Sequence, residues 1–277
     1  MHGKVANQVQ KYFIHLILIV VVAFTLLPFL WMISTSVKTP DQVFEESLWF
    51  FPSSINLDGF KQVFEQAPVL TWALNSTFIA VVQTISQVII AFLAAYAFAR
   101  FDFPGRNILF YFVLATMIIP QQALMIPTFI TINMMDWINT FKGVIIPHMA
   151  SGYAIFLLRQ FMMGIPKELA EAAAVDGCGH LRILRHIYLP ASVPALTALS
   201  IILFVSHWND FYWPLLVLTD ENKLTLPVAL VRFQSEGMIE MVPTMAVATL
   251  STLPILILYF FSQKKFVEGF TNSGLKG

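Results

Sequence analysis

The sequence predicts a single all-α membrane domain, residues 1–277, with six transmembrane helices and a short helical segment exposed between two of them. Three observations lead to this fold class. Of the 277 residues, 57% are hydrophobic and 12% are charged, whereas soluble domains carry roughly 25% charged residues. Six apolar stretches are long enough to cross a bilayer, whose core of about 30 Å needs roughly 20 helical residues. Lys and Arg are concentrated on one side of these stretches, as expected of a membrane protein.

The predicted spans, in chain order, are residues 12–34, 70–99, 108–132, 144–163, 193–218 and 243–262. No cleavage pattern of a signal peptide precedes the first stretch, so it is predicted to be a retained span. Prolines lie within or near the ends of several spans, at Pro28, Pro120, Pro127, Pro214 and Pro254. Each removes a helix hydrogen bond that neighbouring helices must replace, which favours a packed bundle around a polar path. An ordinary kink explains most of these prolines individually.

The distribution of positive charge predicts the orientation. With a cytoplasmic N-terminus, eleven of the 16 Lys and Arg residues lie on the cytoplasmic side and five on the opposite side. Positively charged residues are enriched on the cytoplasmic side of membrane proteins. We therefore expect both termini and segment 166–190 in the cytoplasm, and the segments at 37–69, 133–142 and 220–242 outside.

Segment 166–190 is the longest polar interruption in the second half of the chain. Pro166 suits a first helical turn, and the residues from Leu169 to Ala174 favour a short helix. Gly177 is expected to end this helix, because glycine readily adopts the left-handed conformation found at helix ends. A second short helix, residues 181–187, is predicted to end at Leu189-Pro190. The simplest explanation is an ordinary amphipathic loop between two spans.

The spacing of this segment resembles a known motif. Glu171-Ala172-Ala173, then Gly177 after three residues, Ile187 after nine more, and Leu189-Pro190 after one more resembles the EAA loop of ABC importer permeases. The resemblance implies that the segment carries a coupling helix that sits in a cleft of an ATPase subunit. The contact with the ATPase is assigned to Glu168, Glu171, Ala172, Ala173, Asp176, Gly177, Ile187, Leu189 and Pro190.

Motifs for catalysis or metal binding are absent from the sequence. No phosphate-binding G-x-x-x-x-G-K-[ST] occurs, so ATP binding of the P-loop kind is not expected on this chain. The histidines and the lone Cys178 show no metal-ligand spacing, and the G-x-S-x-G nucleophile elbow is missing. We therefore predict no catalytic residue, metal or cofactor here, with ATP and Mg²⁺ bound by partner ATPase subunits.

Further segments of the chain resemble one subgroup of these permeases, the carbohydrate type. This subgroup includes the maltose-system and glycerol-3-phosphate-system inner-membrane permeases. The similar segments are Asn75-Ser76, Ala94 to Ala97, Arg100 to Arg106, Pro147, Phe161, Ile165-Pro166, Trp208 to Asp210, Trp213-Pro214 and the tail from Gly269 to Gly277. The resemblance implies a second, different permease, two ATPase subunits and an extracytoplasmic solute-binding protein as partners. It also implies a multi-pass protein of the bacterial cytoplasmic (inner) membrane, with lipid but no nucleic acid as a further partner.

Polar side chains inside spans are costly and usually face the bundle interior. The substrate-path candidates are Asn75, Gln83, Gln87, Gln121, Gln122, Trp208, Asn209, Asp210, Tyr212 and Trp213. Amide and carboxylate groups suit sugar hydroxyls, and aromatic rings suit the apolar faces of sugars. Hydrogen bonds between helices and aromatic residues at the membrane interface explain the same residues without any substrate.

The predicted function is that of the permease subunit of an ATP-driven importer of a carbohydrate or related solute. Uptake of glycerol-3-phosphate or a glycerophosphodiester by the same architecture is the alternative. A secondary transporter is a further alternative, but it would need coupling carboxylates at mid-span, and only Asp210 comes close. A membrane enzyme is disfavoured because the sequence shows no catalytic motif.

Overall fold

The structure is a computed structural model that describes residues 2–45, 51–235 and 238–274, with side chains described for residues 8, 10–43, 51–231 and 240–261. The described chain is almost entirely helical. The α-helices are α1 (His2–Ser36), α2 (Pro40–Glu45), α3 (Asp58–Gln66), α4 (Val69–Arg100), α5 (Arg106–Thr116), α6 (Gln121–Met134), α7 (Phe141–Ile145), α8 (Gly152–Met163), α9 (Lys167–Val175), α10 (His180–Ile183), α11 (Leu189–Trp208), α12 (Tyr212–Val217), α13 (Leu226–Ala229) and α14 (Met241–Gly274).

Shorter elements connect these helices. A π-helical turn, Leu184–Tyr188, joins α10 to α11. Turns of 3₁₀ helix lie at Ile146–His148, Glu221–Lys223 and Leu230–Phe233. Two short antiparallel strands, β1 (Gln234–Ser235) and β2 (Met238–Ile239), pair Gln234 with Ile239 and Ser235 with Met238.

Four described helical segments are long and apolar enough to cross a membrane, or up to six if each of two bent pairs counts as one span. The four are Gln10–Ser36, Val69–Arg100, His180–Trp208 and Met241–Phe261. The bent pairs are Arg106–Thr116 with Gln121–Met134, at 96°, and Phe141–His148 with Gly152–Met163, at 42°. The all-α membrane class predicted from composition is confirmed.

The chain divides into two compact units, and the first comprises residues 1–69 and 229–252. Its packed centre lies where the end of α1, helix α3 and the start of α14 meet. Gly59 allows this contact, because a Cβ there would lie 2.5 Å from Cγ1 of Val242. Gln62 donates a hydrogen bond to Glu240 at 3.0 Å across the same unit. The apolar side chains of α1 from Tyr12 to Leu30 are exposed.

The second unit comprises residues 70–228 and 253–277. An apolar cluster in this unit is formed by side chains of α4, α8, the link after α8 and the continuous helix from α10 to α11. The buried members are Ala91, Phe92, Ala95, Tyr96, Ala154, Ile155, Leu158, Met162, Ile165, Ile183, Leu184, Tyr188, Ala195, Leu199 and Leu203. This cluster lies directly beside segment 166–190 and therefore fixes where that segment leaves the bundle.

Near the start of α4, polar side chains form hydrogen bonds to the backbone of the loop that follows α12. Nε1 of Trp72 donates to the carbonyl of Glu221 at 2.6 Å. Nδ2 of Asn75 donates to the carbonyls of Asn222 and Leu224 at 2.9 and 3.0 Å. Ser76 accepts a hydrogen bond from the Leu226 backbone at 2.7 Å. These bonds satisfy backbone groups that a loop would otherwise leave unpaired.

Three predicted spans differ from the observed helices. Span 108–132 is interrupted between α5 and α6, because Pro120 has no N–H and its ring disfavours helix at the preceding residue. Span 144–163 is interrupted before α8, whose first turn is capped by the Ser151 side chain accepting from the Ala154 N–H. Span 193–218 is displaced, since the helix starts at His180 and ends at Trp208.

Candidate functional site

Helix α9 in segment 166–190 ends in a Schellman motif. The N–H of Cys178 donates to the carbonyl of Ala173 at 2.9 Å, and the N–H of Gly177 donates to the carbonyl of Ala174 at 3.0 Å. Gly177 has a φ of +79°, which is the left-handed conformation that this motif requires. The prediction that Gly177 ends the first helix with a positive φ is therefore confirmed.

Helix α9 presents two different faces. Ala170 and Ala173, together with Cys178 after the helix, pack against the apolar cluster of the second unit. Residues on the other sides of the helix are exposed, and Val175 has 89% of its surface accessible. The small alanine side chains allow α9 to lie close to the bundle, and the exposed face stays open to a partner.

The residues assigned to the ATPase contact take up different positions in the structure. The exposed ones are Glu168, Glu171, Ala172, Asp176, Gly177, Leu189 and Pro190. Ala173 and Ile187 are half-buried and pack on the apolar cluster. Leu181, which the motif did not include, is 78% exposed after the turn. No ion pair within 4 Å joins Glu171 to another described residue.

The second predicted helix of the segment does not end at Pro190, and that prediction is wrong. Helix α10 continues through the π-helical turn into α11, which carries Pro190 in its first turn. In the π-helical turn the N–H of Leu189 donates to the carbonyl of Leu184, five residues earlier. This wider turn shifts the hydrogen-bond register just before Pro190, so the missing N–H of proline does not stop the helix.

A polar cavity lies elsewhere in the second unit, between α4, α6, α8 and the end of α11. It has two adjoining lobes of about 560 and 180 Å³. Gln121, Leu124, His148 and Asp210 line both lobes. Gln87, Tyr153 and His207 line only the larger one, and Gln122, Tyr212 and Trp213 line only the smaller one. The cavity thus combines amide, imidazole, carboxylate and aromatic groups.

Several polar atoms of these residues have no hydrogen-bond partner among the described residues. They are Oε1 of Gln87 and Nε2 of both His148 and His207. Buried polar atoms in folded proteins are normally paired with protein or water. Each of the three atoms has almost no accessible surface of its own, so they lie within the packed protein beside the cavity and do not face its open space.

Gln83 and Gln87 are four residues apart and therefore share one face of α4, but their surroundings differ. Nε2 of Gln83 donates to the Val144 carbonyl at 3.1 Å, and Nε2 of Gln87 donates to the His148 carbonyl at 2.5 Å. Both therefore hold the segment of α7 and its 3₁₀ turn against α4. Only Gln87 lines the cavity.

Four other substrate-path candidates lie away from the cavity lining. Asn75 binds loop carbonyls, as described above. Nδ2 of Asn209, the residue after α11, donates a hydrogen bond to the Val205 carbonyl in the last turn of that helix at 2.9 Å. Trp208 is buried and stacks on Phe204, with ring centroids 6.0 Å apart. Gln83 is buried beside Val144. Among these contacts, that of Gln83 with Val144 is the hydrogen bond between helices that the structural alternative expected, whereas Trp208 is buried and does not lie at an interface.

Trp213 is buried as well as being part of the cavity lining. Its Nε1 donates to the Gly143 carbonyl at 3.2 Å, and its ring meets His148 edge-on at 5.4 Å. The sequence reasoning overlooked His148, His207 and Tyr153 because their spacing matches no metal or catalytic motif. His148 can be identified as a cavity residue only from the structure, because the packing of α7 against α4 brings it into contact with Gln87, 61 positions earlier.

A protein-family model described as "Binding-protein-dependent transport system inner membrane component" matches residues 87–271. This match spans segment 166–190 and most of the second unit. The chain belongs to this family. It is accordingly an integral inner-membrane permease component of a transport system, as the residue pattern around Glu171 and Gly177 predicted.

Curated relatives extend the likeness beyond the family region. The chain is 36% identical over 232 residues to the arabinooligosaccharides transport system permease protein AraQ of Halalkalibacterium halodurans, covering 83% of each chain. It is 33% identical over 270 residues to the sn-glycerol-3-phosphate transport system permease protein UgpE of Salmonella typhi, covering 94% of this chain and 96% of the relative.

A solved structure shows the same fold. It is a bacterial ABC transporter involved in the import of the acidic polysaccharide alginate, and its matching chain superposes with a TM-score of 0.82 at 23% identity, covering 94% of this chain and 98% of that one. A second, of the alginate transporter in complex with alginate pentasaccharide-bound periplasmic protein, gives a TM-score of 0.64 at 16% identity. The predicted ABC importer permease fold is confirmed.

Proposed function

We propose that this permease forms half of the translocation path of an ATP-driven carbohydrate importer, and that segment 166–190 couples it to an ATPase subunit. The observation that carries the proposal is the contrast between the two faces of α9. One face packs on the permease core and the other is exposed, with Glu171 and Val175 open to a partner. A short helix held this way transmits force as a rigid element.

The polar cavity supports a carbohydrate as the solute. Gln121 and Asp210 supply hydrogen-bonding groups to both lobes, and the rings of Tyr212 and Trp213 supply apolar surface. Sugar hydroxyls can pair with the amide and the carboxylate, because a hydroxyl both donates and accepts. Relatives named for arabinooligosaccharide transport agree with this solute class.

Glycerol-3-phosphate is the second candidate, because UgpE proteins are also similar to this chain. A phosphate ester is usually held by Arg or Lys. Among the described residues that line the two lobes, none is Arg or Lys, and Asp210 is a carboxylate. The charge of this cavity therefore favours an uncharged sugar.

The remaining assembly follows from the resemblance and from the charge distribution. We propose a second, different permease, two ATPase subunits that bind ATP and Mg²⁺, and an extracytoplasmic solute-binding protein. The structural neighbour solved with its periplasmic protein supports the last of these. The excess of Lys and Arg on one side supports cytoplasmic termini and a cytoplasmic segment 166–190.

A matched pair of variants tests the cavity. Gln87→Ala and Gln83→Ala each remove one hydrogen bond from α4 to a carbonyl of the α7 region, but only Gln87 lines the cavity. In the complex reconstituted with its partners, Gln87→Ala should lower arabinooligosaccharide uptake about two- to tenfold more than Gln83→Ala, the range expected for one lost neutral hydrogen bond.

Two solutes distinguish the candidate functions in the same assay. Arabinooligosaccharide and sn-glycerol-3-phosphate are each supplied at the same concentration with the cognate binding protein. Uptake of the sugar alone agrees with the proposal, and uptake of the phosphate alone favours the second candidate. Equal loss of uptake in Gln87→Ala and Gln83→Ala would show that the cavity does not contact the solute.

A further inference from the structure

Arg100, the last residue of α4, lies between the two ends of segment 166–190. Its guanidinium Nη2 donates to the carbonyl of Met162 and, at 2.5 Å, to the carbonyl of Ile165. Met162 is in the last turn of α8, and Ile165 directly precedes Pro166 at the entry to the segment. Arg100 therefore binds the backbone from which α9 begins.

The same side chain also contacts the exit of the segment. The guanidinium carbon of Arg100 lies 4.8 Å from the ring centroid of Tyr188, the last residue of the π-helical turn. Tyr188 is fully buried, and its ring meets that of Tyr96 at 5.0 Å. One arginine thus joins the end of α4, the entry to the segment and the exit from it.

Arginine suits this position for two physical reasons. Its planar guanidinium donates in a fixed fork and stacks on an aromatic ring at the same time, whereas the lysine ammonium is a compact charge with three donors on a flexible stem. The carbonyls at the end of α8 carry the negative end of the helix dipole, which favours a cation there. No carboxylate of the described residues forms an ion pair with Arg100 within 4 Å.

We propose that Arg100 is a positioning residue for coupling, a clamp that makes α4, the entry to α9 and the π-helical turn move as one body. The inference rests on the proposed coupling role of segment 166–190. With the clamp in place, a displacement of α9 by a partner is passed directly to α4, the helix that carries Gln87 to the cavity. Without it, α9 tilts on its own and the displacement is lost.

The chain offers a matched control arginine. Arg159 on α8 also donates to a backbone carbonyl, that of Phe98 at 3.4 Å, and stacks on Phe110 at 4.0 Å. It lies in the same unit but contacts neither end of segment 166–190 in these interactions. Arg100→Lys and Arg159→Lys therefore each change an arginine that bonds backbone and stacks on a ring, with two backbone bonds at Arg100 and one at Arg159, and only the first changes the clamp.

The functional test compares these variants in the complex reconstituted with its partners. We expect Arg100→Lys and Arg100→Gln to lower the solute uptake per ATP hydrolysed by about two- to thirtyfold, the range known for residues that carry coupling. Arg159→Lys should leave this ratio within twofold of the wild type. Equal ratios in Arg100→Lys and the wild type, or equal losses in both lysine variants, would overturn the proposal.

A spectroscopic measurement tests the clamp without relying on transport. Spin labels are placed at Leu74→Cys on α4 and Leu169→Cys on α9, both exposed positions, with Cys178→Ser removing the native thiol. In the assembled complex, Arg100→Lys should broaden the distance distribution between the labels, whereas Arg159→Lys should not. An unchanged distribution in Arg100→Lys would overturn the clamp.

The two measurements separate this inference from the proposed function. If solute does not stimulate ATP hydrolysis in the wild type, the proposed function fails, but the label distances still decide whether Arg100 holds α9. If stimulation is normal and neither the distances nor the ratio change in Arg100→Lys, only the clamp is refuted.

Discussion

At the scale of single residues, Gly177 shows how one backbone conformation sets the shape of segment 166–190. A Cβ added at Gly177 would meet no atom within 4 Å, so a substitution there costs backbone strain and causes no steric clash within this chain. An L-residue in the left-handed conformation costs roughly 1–2 kcal/mol. Gly177→Ala should therefore open the end of α9 about five- to thirtyfold more often, as measured by amide hydrogen exchange of residues 172–180.

Gly179→Ala is the control for this prediction. Gly179 has a φ of −74° and open space around its Cα, so alanine fits there without strain. Gly177→Asn should be milder than Gly177→Ala, because asparagine tolerates the left-handed conformation. Equal exchange in the alanine variants at 177 and 179 would show that the Schellman motif does not hold α9.

Asp210 and Asn209 are neighbours in sequence with different expected roles. Asp210 lines both lobes of the cavity, whereas the Asn209 side chain is engaged with the Val205 carbonyl. A hydrogen bond to a charged group contributes about 1.5–3 kcal/mol, so Asp210→Ala should reduce uptake by about tenfold or more. Asn209→Ala should change uptake little, and a larger loss in Asn209→Ala than in Asp210→Ala would contradict this assignment.

The residues that sequence reasoning placed correctly are those whose role is local. Gly177 was identifiable because a glycine after an alanine-rich run predicts a helix end. Asn75 was not, because its partners are carbonyls at positions 222 and 224, about 150 residues away. A polar residue in a span signals burial, but it does not reveal whether the partner is a solute or a loop.

At the scale of helices, α5 and α8 pack closely at Gly152. A Cβ on this residue would lie 2.5 Å from Oγ1 of Thr116 and 2.8 Å from the Val113 carbonyl oxygen. Gly152→Ala therefore forces the two helices apart, and overpacking of this kind typically costs about 1–3 kcal/mol. Thermal unfolding of the purified complex in detergent should start several degrees lower in this variant, roughly 2–4 °C for each kcal/mol.

Gly164→Ala provides the comparison for Gly152→Ala. Its added Cβ would come no closer than 3.3 Å to the Phe161 carbonyl oxygen, so a shift of a few tenths of an ångström relieves the contact. We expect its unfolding temperature to stay near that of the wild type. A Gly152→Ala variant as stable as Gly164→Ala would mean that α5 and α8 do not approach each other as described.

The presence of the helices was predicted better than their first and last residues. Two prolines explain the errors, since one breaks a helix that was predicted to continue and the other lies in a helix that was predicted to end. Pro120 interrupts a span that hydrophobicity alone made continuous, since hydrophobicity does not register the missing N–H. Pro190 does not end a helix that its presence predicted to end, because the π-helical turn from Leu184 to Tyr188 changes the hydrogen-bond register before it. Such compensation depends on packing around Tyr188 and leaves no pattern in the sequence.

At the scale of the whole molecule, composition and family spacing were sufficient to predict an all-α permease with a short helix between Pro166 and Gly177, which is observed at Lys167–Val175. The apolar stretches determine the class because backbone groups inside a bilayer must be satisfied within helices. The polar cavity was only partly predictable. Gln87, Gln121 and Asp210 were identified, but their meeting point at His148 depends on how α7 folds against α4.

Two exposed positions report the orientation of the chain in the membrane. The excess of Lys and Arg predicts that Val175 faces the cytoplasm and Ile55 the outside. Cys178 is half-buried, so its failure to react would be ambiguous. Ser47, in the loop at 37–69 that is expected outside, is not among the described residues. Val175 and Ile55 are 89% and 77% exposed in this chain, so cysteines there react wherever the reagent is present and no partner subunit covers them.

Each cysteine is introduced singly into a Cys178→Ser background, and intact cells are treated with a membrane-impermeant thiol reagent. Ile55→Cys should be labelled at once, whereas Val175→Cys should be labelled only after the membrane is permeabilised. Both variants should react equally in detergent, which controls for local accessibility. Labelling of Val175→Cys in intact cells would place α9 outside, where no ATPase subunit reaches it, and would refute coupling through segment 166–190 whatever the cavity binds.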